Sequence, residues 1–340
     1  MIFPLLRGLL WFHRAPLTWL MVALNVSIFA LTFPAYRAAD QAMETILEDE
    51  NFVSTNGLLF ASTIDPISEK EPSSLRELSM RSLRGQDDAR VLLGHLALRR
   101  PGFLQDGLKK YAVTEKASLG RSLAAVGDQV ALEKWSETAT RLLEIQSVHP
   151  SYRLGLSEGR SEVWRWFTYQ ITHSGFIHLF WNMIFLLLFG TFVEHSRGWI
   201  AAGTTMWLGG LVGALAYVFL SGLSASPLVG ASAAVSGLIA LSASHATRRL
   251  PFVYWLLPIR GYYGVAWLPA WVLIPAFVLP DLSGWISAQP GLSAVAYTAH
   301  IGGALTGFAM SFVFKERPAA FVELAEGVTG TAASSTKLSA

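Results

Sequence analysis

The amino-acid sequence predicts an all-α, polytopic membrane protein: a bundle of six spanning helices with a mostly helical, soluble insert between the first and the second. Three observations predict it. Of 340 residues, 52% are apolar and only 15% charged, whereas about a quarter of a soluble domain is charged. The charges are unevenly spread, because about 35 of the 50 Asp, Glu, Lys and Arg side chains fall between residues 37 and 162. On both sides of that stretch lie apolar runs approaching the roughly 20 residues that cross a hydrocarbon core.

The first crossing is read at residues 15–34, preceded by Arg7, Arg14 and the interfacial aromatic Trp11. Its run is longer than the apolar stretch of about 7 to 15 residues in a cleavable signal peptide, so an uncleaved helix is expected. The polar stretch 37–162 follows. Leu132, Trp135, Ala139 and Leu142 recur at spacings of three and four and mark one helical face. Pro101-Gly102 and Pro150 read as breaks between its helices.

Five further apolar segments cover 175–193, 200–220, 229–244, 265–279 and 296–314. The segment 229–244 is short and rich in small residues, which suits a central helix surrounded by protein. Residues 251–263, interrupted by Pro258 and Gly261, read as an interfacial loop. With six crossings, Arg7, Arg14, Arg197, Arg248, Arg249, Arg260, Lys315 and Arg317 all fall on one side. The positive-inside bias therefore places both termini in the cytoplasm. The resulting divisions are 1–36 with the first helix, 37–162 as the insert, 163–317 as the membrane core, and 318–340 as a disordered cytoplasmic tail.

The composition also excludes classes of function. A net charge of +2 offers no broad cationic surface for a phosphate backbone, so no nucleic-acid partner is expected. With no cysteine, disulfides, thiolate metal sites and a cysteine nucleophile are excluded.

Polar side chains inside spanning segments are costly, so each is a functional candidate. Under the six-crossing topology they share a depth. His173, His178 and Asn182 begin the second helix, Ser232 the fourth and His300 the sixth, all at the end nearest the insert. His178 and Asn182, four apart, share a helix face and can donate to one partner. His300, Gly303 and Gly307 form a stripe whose glycines let the sixth helix press on the fourth. Gly230-Ala231-Ser232 puts a hydroxyl beside the free backbone donors of a helix N-terminus. Serine needs an adjacent base to attack, and His300 is the candidate. Among the expected spans only Glu194 is acidic, which leaves a Ser-His dyad without a third carboxylate. His173 and His178, five apart on a helix, diverge by about 140° with no carboxylate beside them, so no metal site is expected. Ser242 and Ser244 are expected to bond back to carbonyls of the preceding turn or to join helices.

With these residues in view, the chain resembles the rhomboid intramembrane serine proteases over residues 164–315 and, more loosely, over its first helix. Gly230-Ala231-Ser232 is similar to the family's nucleophile motif, and Ala299-His300 to its base motif. His173, His178 and Asn182 resemble its second-helix pattern, Trp164-Arg165 the pair in its first loop, and Glu194 with Gly198 a structural motif at the end of the second helix. The resemblance implies Ser232 as nucleophile and His300 as base, with His178, Asn182 and the Ser232 amide lining an oxyanion hole. His173, Trp164, Arg165, Gly230, Glu194, Gly303 and Gly307 would be structural. Two positions depart from the pattern: Ala233 stands where a glycine usually follows the nucleophile, and Ser236 where an aromatic usually stacks on the base. Orientation of His300 then falls to Ser236 or to Tyr297.

The expected activity is hydrolysis of peptide bonds in transmembrane segments of membrane-protein substrates, without a cofactor or metal. The expected setting is a lipid bilayer, in a bacterial inner (plasma) membrane. The alternative is an inactive rhomboid-like protein that binds membrane clients. A transporter fits less well, because the polar residues gather near one face and no inverted repeat is visible.

Overall fold

A computed structural model describes residues 2–4, 14–65, 72–112, 129–157, 161–223, 225–244, 249–255, 263–287 and 295–316. The expected tail at 318–340 lies outside these residues, as do Arg7, Trp11, Arg248, Arg260 and Arg317 of the orientation argument.

The protein is mostly helical. Helix α1 (Pro16–Leu47) continues 13 residues beyond the expected end of the first crossing and carries Pro34 in its interior. Proline costs one backbone bond there, but its fixed φ is compatible with a helix. Next come α2 (Glu50–Ala61), α3 (Ser73–Leu83), α4 (Asp87–Arg99), α5 (Phe103–Ala112) and α6 (Gln129–Val148). Leu132, Trp135, Ala139 and Leu142 are buried together with Ile46, Phe52, Leu59 and Leu104. The indole of Trp135 donates to Asn56 Oδ1 at 2.8 Å. Helices α2 and α4 cross closely, since a Cβ on Gly57 would come within 1.9 Å of the Arg90 carbonyl, and one on Gly94 within 1.9 Å of that of Val53.

After a helical turn at Pro150–Leu154 come α7 (Phe176–Arg197) and α8 (Trp199–Leu220), α9 (Ser232–Ala243), α10 (Leu273–Ser287) and α11 (Tyr297–Val313). Among the described residues, four helices are long and apolar enough to cross a membrane: Pro16–Leu47, Phe176–Arg197, Trp199–Leu220 and Ala270–Ser287. Helix α9 has only 12 residues, and every residue from Ala233 to Ala243 except Ser236 is buried. It packs against α8 and α11, the central position its small residues suggested.

Two expectations for the segment after α9 are corrected. Residues 251–255 and 263 are strand and not loop, Pro258 and Gly261 lie outside the described residues, and the fifth apolar segment does not begin as a helix. Strand β2 (Arg249–Trp255) pairs antiparallel with β3 (Tyr263–Pro269), and β1 (Ile2–Pro4) adds to the other edge of β2, in the order β1-β2-β3. Val, Tyr, Phe and Trp favour an extended pleat, and a short apolar run does not by itself distinguish strand from helix. Helix α10 therefore starts later than expected and runs past Leu279 through Pro280 and Asp281.

Two charged side chains fasten helix ends. Glu194 accepts from the amides of Leu17 and Thr18 at 2.9 and 2.8 Å and from the Thr18 hydroxyl at 2.7 Å. These are orphan donors of the first turn of α1, so an acidic side chain from α7 caps another helix. Arg197 donates to the Phe314 carbonyl and to Ser244 Oγ, joining the ends of α7, α9 and α11.

Candidate active site

Ser232 is the first residue of α9, after Gly230 at φ +113°. The approach to it is held on both sides. Leu228 and Leu156 exchange two backbone bonds of 2.6 and 3.1 Å, and Gly230 N donates to the Tyr169 carbonyl at 2.8 Å. Glycine is required at 230 for two reasons. The left-handed φ disfavours any side chain, and a Cβ there would lie 2.6 and 2.7 Å from the Cε1 and Nε2 atoms of the His178 ring.

Helix α11 brings His300 to the serine. A Cβ on Gly303 would meet the Ala233 carbonyl at 2.0 Å, and one on Gly307 the Gly237 carbonyl at 1.9 Å. The two backbones are thus as close as the glycine stripe anticipated. Across this contact His300 Nε2 lies 2.8 Å from Ser232 Oγ. Neighbouring serines behave differently: Ser242 Oγ donates to Leu238 O at 2.8 Å and Ser244 Oγ to Leu241 O at 2.6 Å, back-bonding that is one of the two roles expected of them.

Ser232 and His300 open on a cavity of about 770 Å³ that His178, Asn182, Ser236 and Asp281 also line. Asn182 Nδ2 donates to the His178 carbonyl at 2.8 Å, and His178 Nδ1 lies 2.9 Å from Ser174 Oγ. Part of the rim comes from the polar stretch and from the extension of α1, through Tyr36, Asp40, His149 and Tyr152. The hydroxyl of Tyr36 donates to the Ser174 carbonyl, and its ring lies 4.9 Å from that of His149.

His173 is placed differently from expectation. Helix α7 starts at Phe176 behind Gly175, so His173 precedes the helix and the 140° divergence does not apply. Its ring packs edge-on to His178 at 5.2 Å. Burial, with His178 alongside, pushes the His173 imidazole down to about 3, so it sits neutral. Among the described residues no group of three or more His, Cys, Asp or Glu could hold a metal.

The remaining residues expected to be structural are all engaged. Arg165 is buried, donates to the carbonyls of Tyr152, Arg153 and Gly155 and to Glu162, and stacks 4.3 Å over the Trp164 ring. It thus satisfies free carbonyls at the end of the 150–154 turn.

One residue of the site was not anticipated. Asp281 Oδ1 lies 2.9 Å from His300 Nδ1, inside the apolar helix Ala270–Ser287. The expectation that Glu194 alone is acidic within the spans is therefore incorrect. Neither Ser236 nor Tyr297 occupies Nδ1 of His300; Asp281 does.

Comparison with known proteins agrees with this architecture. Residues 160–317 match the Rhomboid domain family model. RHOMBOID-like protein 4 of Arabidopsis thaliana is 32% identical over 157 residues, 46% of this chain and 35% of the relative. RHOMBOID-like protein 6, mitochondrial, of the same plant is 29% identical over 158 residues, 46% of each. Rhomboid-related protein 1 of Caenorhabditis elegans is 28% identical over 183 residues, 53% of this chain and 48% of the relative. Residues 160–317 thus carry a rhomboid domain, and with its apolar helices the chain is an integral membrane protein. It spans between about a third and a half of the length of the curated relatives it matches. Relatives from a plant and a nematode, one of them named mitochondrial, give no support to a bacterial inner membrane as its location.

Proposed function

We propose that this chain is an intramembrane serine endopeptidase that cleaves transmembrane segments of membrane-protein substrates. Six crossings carry the site in this reading, with α9 and α11 as the fourth and sixth and the polar helices α2 to α6 outside the bilayer. The observation that carries it is the 2.8 Å contact between His300 Nε2 and Ser232 Oγ, side chains 68 positions apart on two helices joined by glycines. Ser232 attacks the scissile carbonyl while its proton passes to His300, which then delivers it to the leaving amine.

The amide of Ser232 with His178 and Asn182 holds the oxyanion, where each donor is worth about 3 to 4 kcal/mol in serine proteases. A stable helix hides its carbonyls in its own hydrogen bonds, so substrates with helix-weakening residues are favoured. The test is covalent labelling of Ser232 by a fluorophosphonate in detergent micelles, with Ser232→Ala as control. Labelling confined to the wild type supports the protease. A folded wild type that never labels favours an inactive protein that binds membrane clients.

A further inference from the structure

We infer that Asp281 is a positioning residue for His300, so that this protein orients its base with a carboxylate; the inference rests on the protease reading above. The three groups are joined by two contacts on opposite nitrogens of one ring. Asp281 Oδ1 is 2.9 Å from Nδ1 of the imidazole, whose Nε2 is 2.8 Å from Ser232 Oγ. An ionised carboxylate only accepts hydrogen bonds, so the shared proton belongs to Nδ1. Nε2 is then the bare nitrogen, and it faces the serine hydroxyl in the tautomer that a general base needs.

The contact follows from how the two helices fit together. Asp281 and Gly284 are three residues apart on α10, and Tyr297 and His300 three apart on α11, so each pair shares a face. A Cβ on Gly284 would sit 2.4 Å from the Tyr297 ring. One turn of helix from this close approach, the carboxylate meets the imidazole. The side chains of both Asp281 and His300 are about one-fifth exposed at the cavity, 20% and 19% respectively.

This pairing also accounts for a departure at position 236. Where the resemblance assigns an aromatic that stacks on the base, the chain has Ser236, and the hold on the imidazole comes from Nδ1 instead. As Ser232 Oγ bonds to the scissile carbon, its proton moves to Nε2 and the ring becomes an imidazolium. Asp281 stays ionised and steadies that charge through the Nδ1–H bond until the proton leaves with the amine.

Four variants test the assignment in the whole 340-residue chain in micelles: Asp281→Asn, Asp281→Glu, Ser232→Ala and His300→Ala. The carboxamide that the first introduces can donate to Nδ1 and so leave the proton on Nε2. The expected result is a fall of about tenfold or more in fluorophosphonate labelling of Ser232 and in kcat, with KM and thermal midpoint unchanged. Asp281→Glu recovers part of the rate. Nitrogen-15 spectra of labelled histidine, assigned with His300→Ala, read the tautomer without any activity: Nδ1–H in the wild type and in Ser232→Ala, Nε2–H in Asp281→Asn.

A wild-type rate in Asp281→Asn, or a wild-type His300 protonated on Nε2, overturns the inference. If Ser232 never labels while the tautomer still depends on Asp281, the protease reading fails and the positioning of the ring stands.

Discussion

Thr18 gives both its backbone amide and its hydroxyl to the carboxylate of Glu194, 176 positions later in the chain. The contact fixes the start of α1 against the end of α7, and Gly190 widens it, since a Cβ there would meet Thr18 at 2.8 Å. Replacing Glu194 with Gln presents an amide donor to groups that are themselves donors. The expected cost is about 1 to 3 kcal/mol, the usual penalty for buried polar groups left unpaired. Reversible unfolding in mixed micelles measures it; a variant as stable as wild type would show that the cap contributes nothing.

Gly303→Ala and Gly307→Ala each drive a methyl into a facing carbonyl, at 2.0 and 1.9 Å. Overpacking of this kind costs about 1 to 3 kcal/mol, and moving α11 also lengthens the His300 to Ser232 contact. Both variants are expected to lose stability and labelling together. Gly175→Ala is the control, because its added Cβ would meet only the Tyr36 hydroxyl at 3.6 Å, and its stability should stay within about 0.5 kcal/mol of wild type.

Gly230→Ala is expected to cost both labelling and stability. The new methyl strains a left-handed φ and pushes on the His178 ring, one of the proposed oxyanion donors. Labelling of Ser232 should drop by about tenfold or more, equivalent to about 1.4 kcal/mol in the barrier. Rates and melting curves taken on the same preparation decide it: a variant that labels normally would remove His178 from the proposed site.

His149 gives the polar stretch a pH response. Its Nδ1 accepts from the Ser151 amide at 3.1 Å, so the neutral ring carries its proton on Nε2, 3.6 Å from Asp40. Burial holds the imidazole below its ordinary range, with Asp40 opposing. The unfolded chain takes up a proton near pH 6.5 while the folded ring has not, so the stability is complete above about pH 6.5 and declines as pH falls below it. His149→Asn, which can still accept from Ser151, should flatten the thermal midpoint across that window. An unchanged slope would place the response on another group.

Much of this arrangement was legible before any coordinates, because the relevant signals are local. Apolar runs marked α1, α7, α8 and α11, and small residues marked α9. Gly303 and Gly307 announced the close contact that brings His300 to Ser232. What escaped was decided between segments. Leu279-Pro280-Asp281 reads as the end of an apolar run, since hydropathy counts Asp281 as a cost and cannot see the imidazole across the interface. The β2 and β3 residues are as apolar as a short helix, and only their pairing distinguishes the two. His173 looked like part of α7, but the helix starts at Phe176, three residues after it, behind Gly175.

The rim of the cavity has a practical consequence for grafting. Tyr36, Asp40, His149 and Tyr152 belong by sequence to the polar stretch or its border, yet they face the same space as Ser232. A chimaera cut at positions 37 and 162 would carry away three of these wall residues and leave a gap above the serine. Exchanging only the portion between Leu47 and Gln129 keeps that seam, and with it the wall of the cavity beside Ser232.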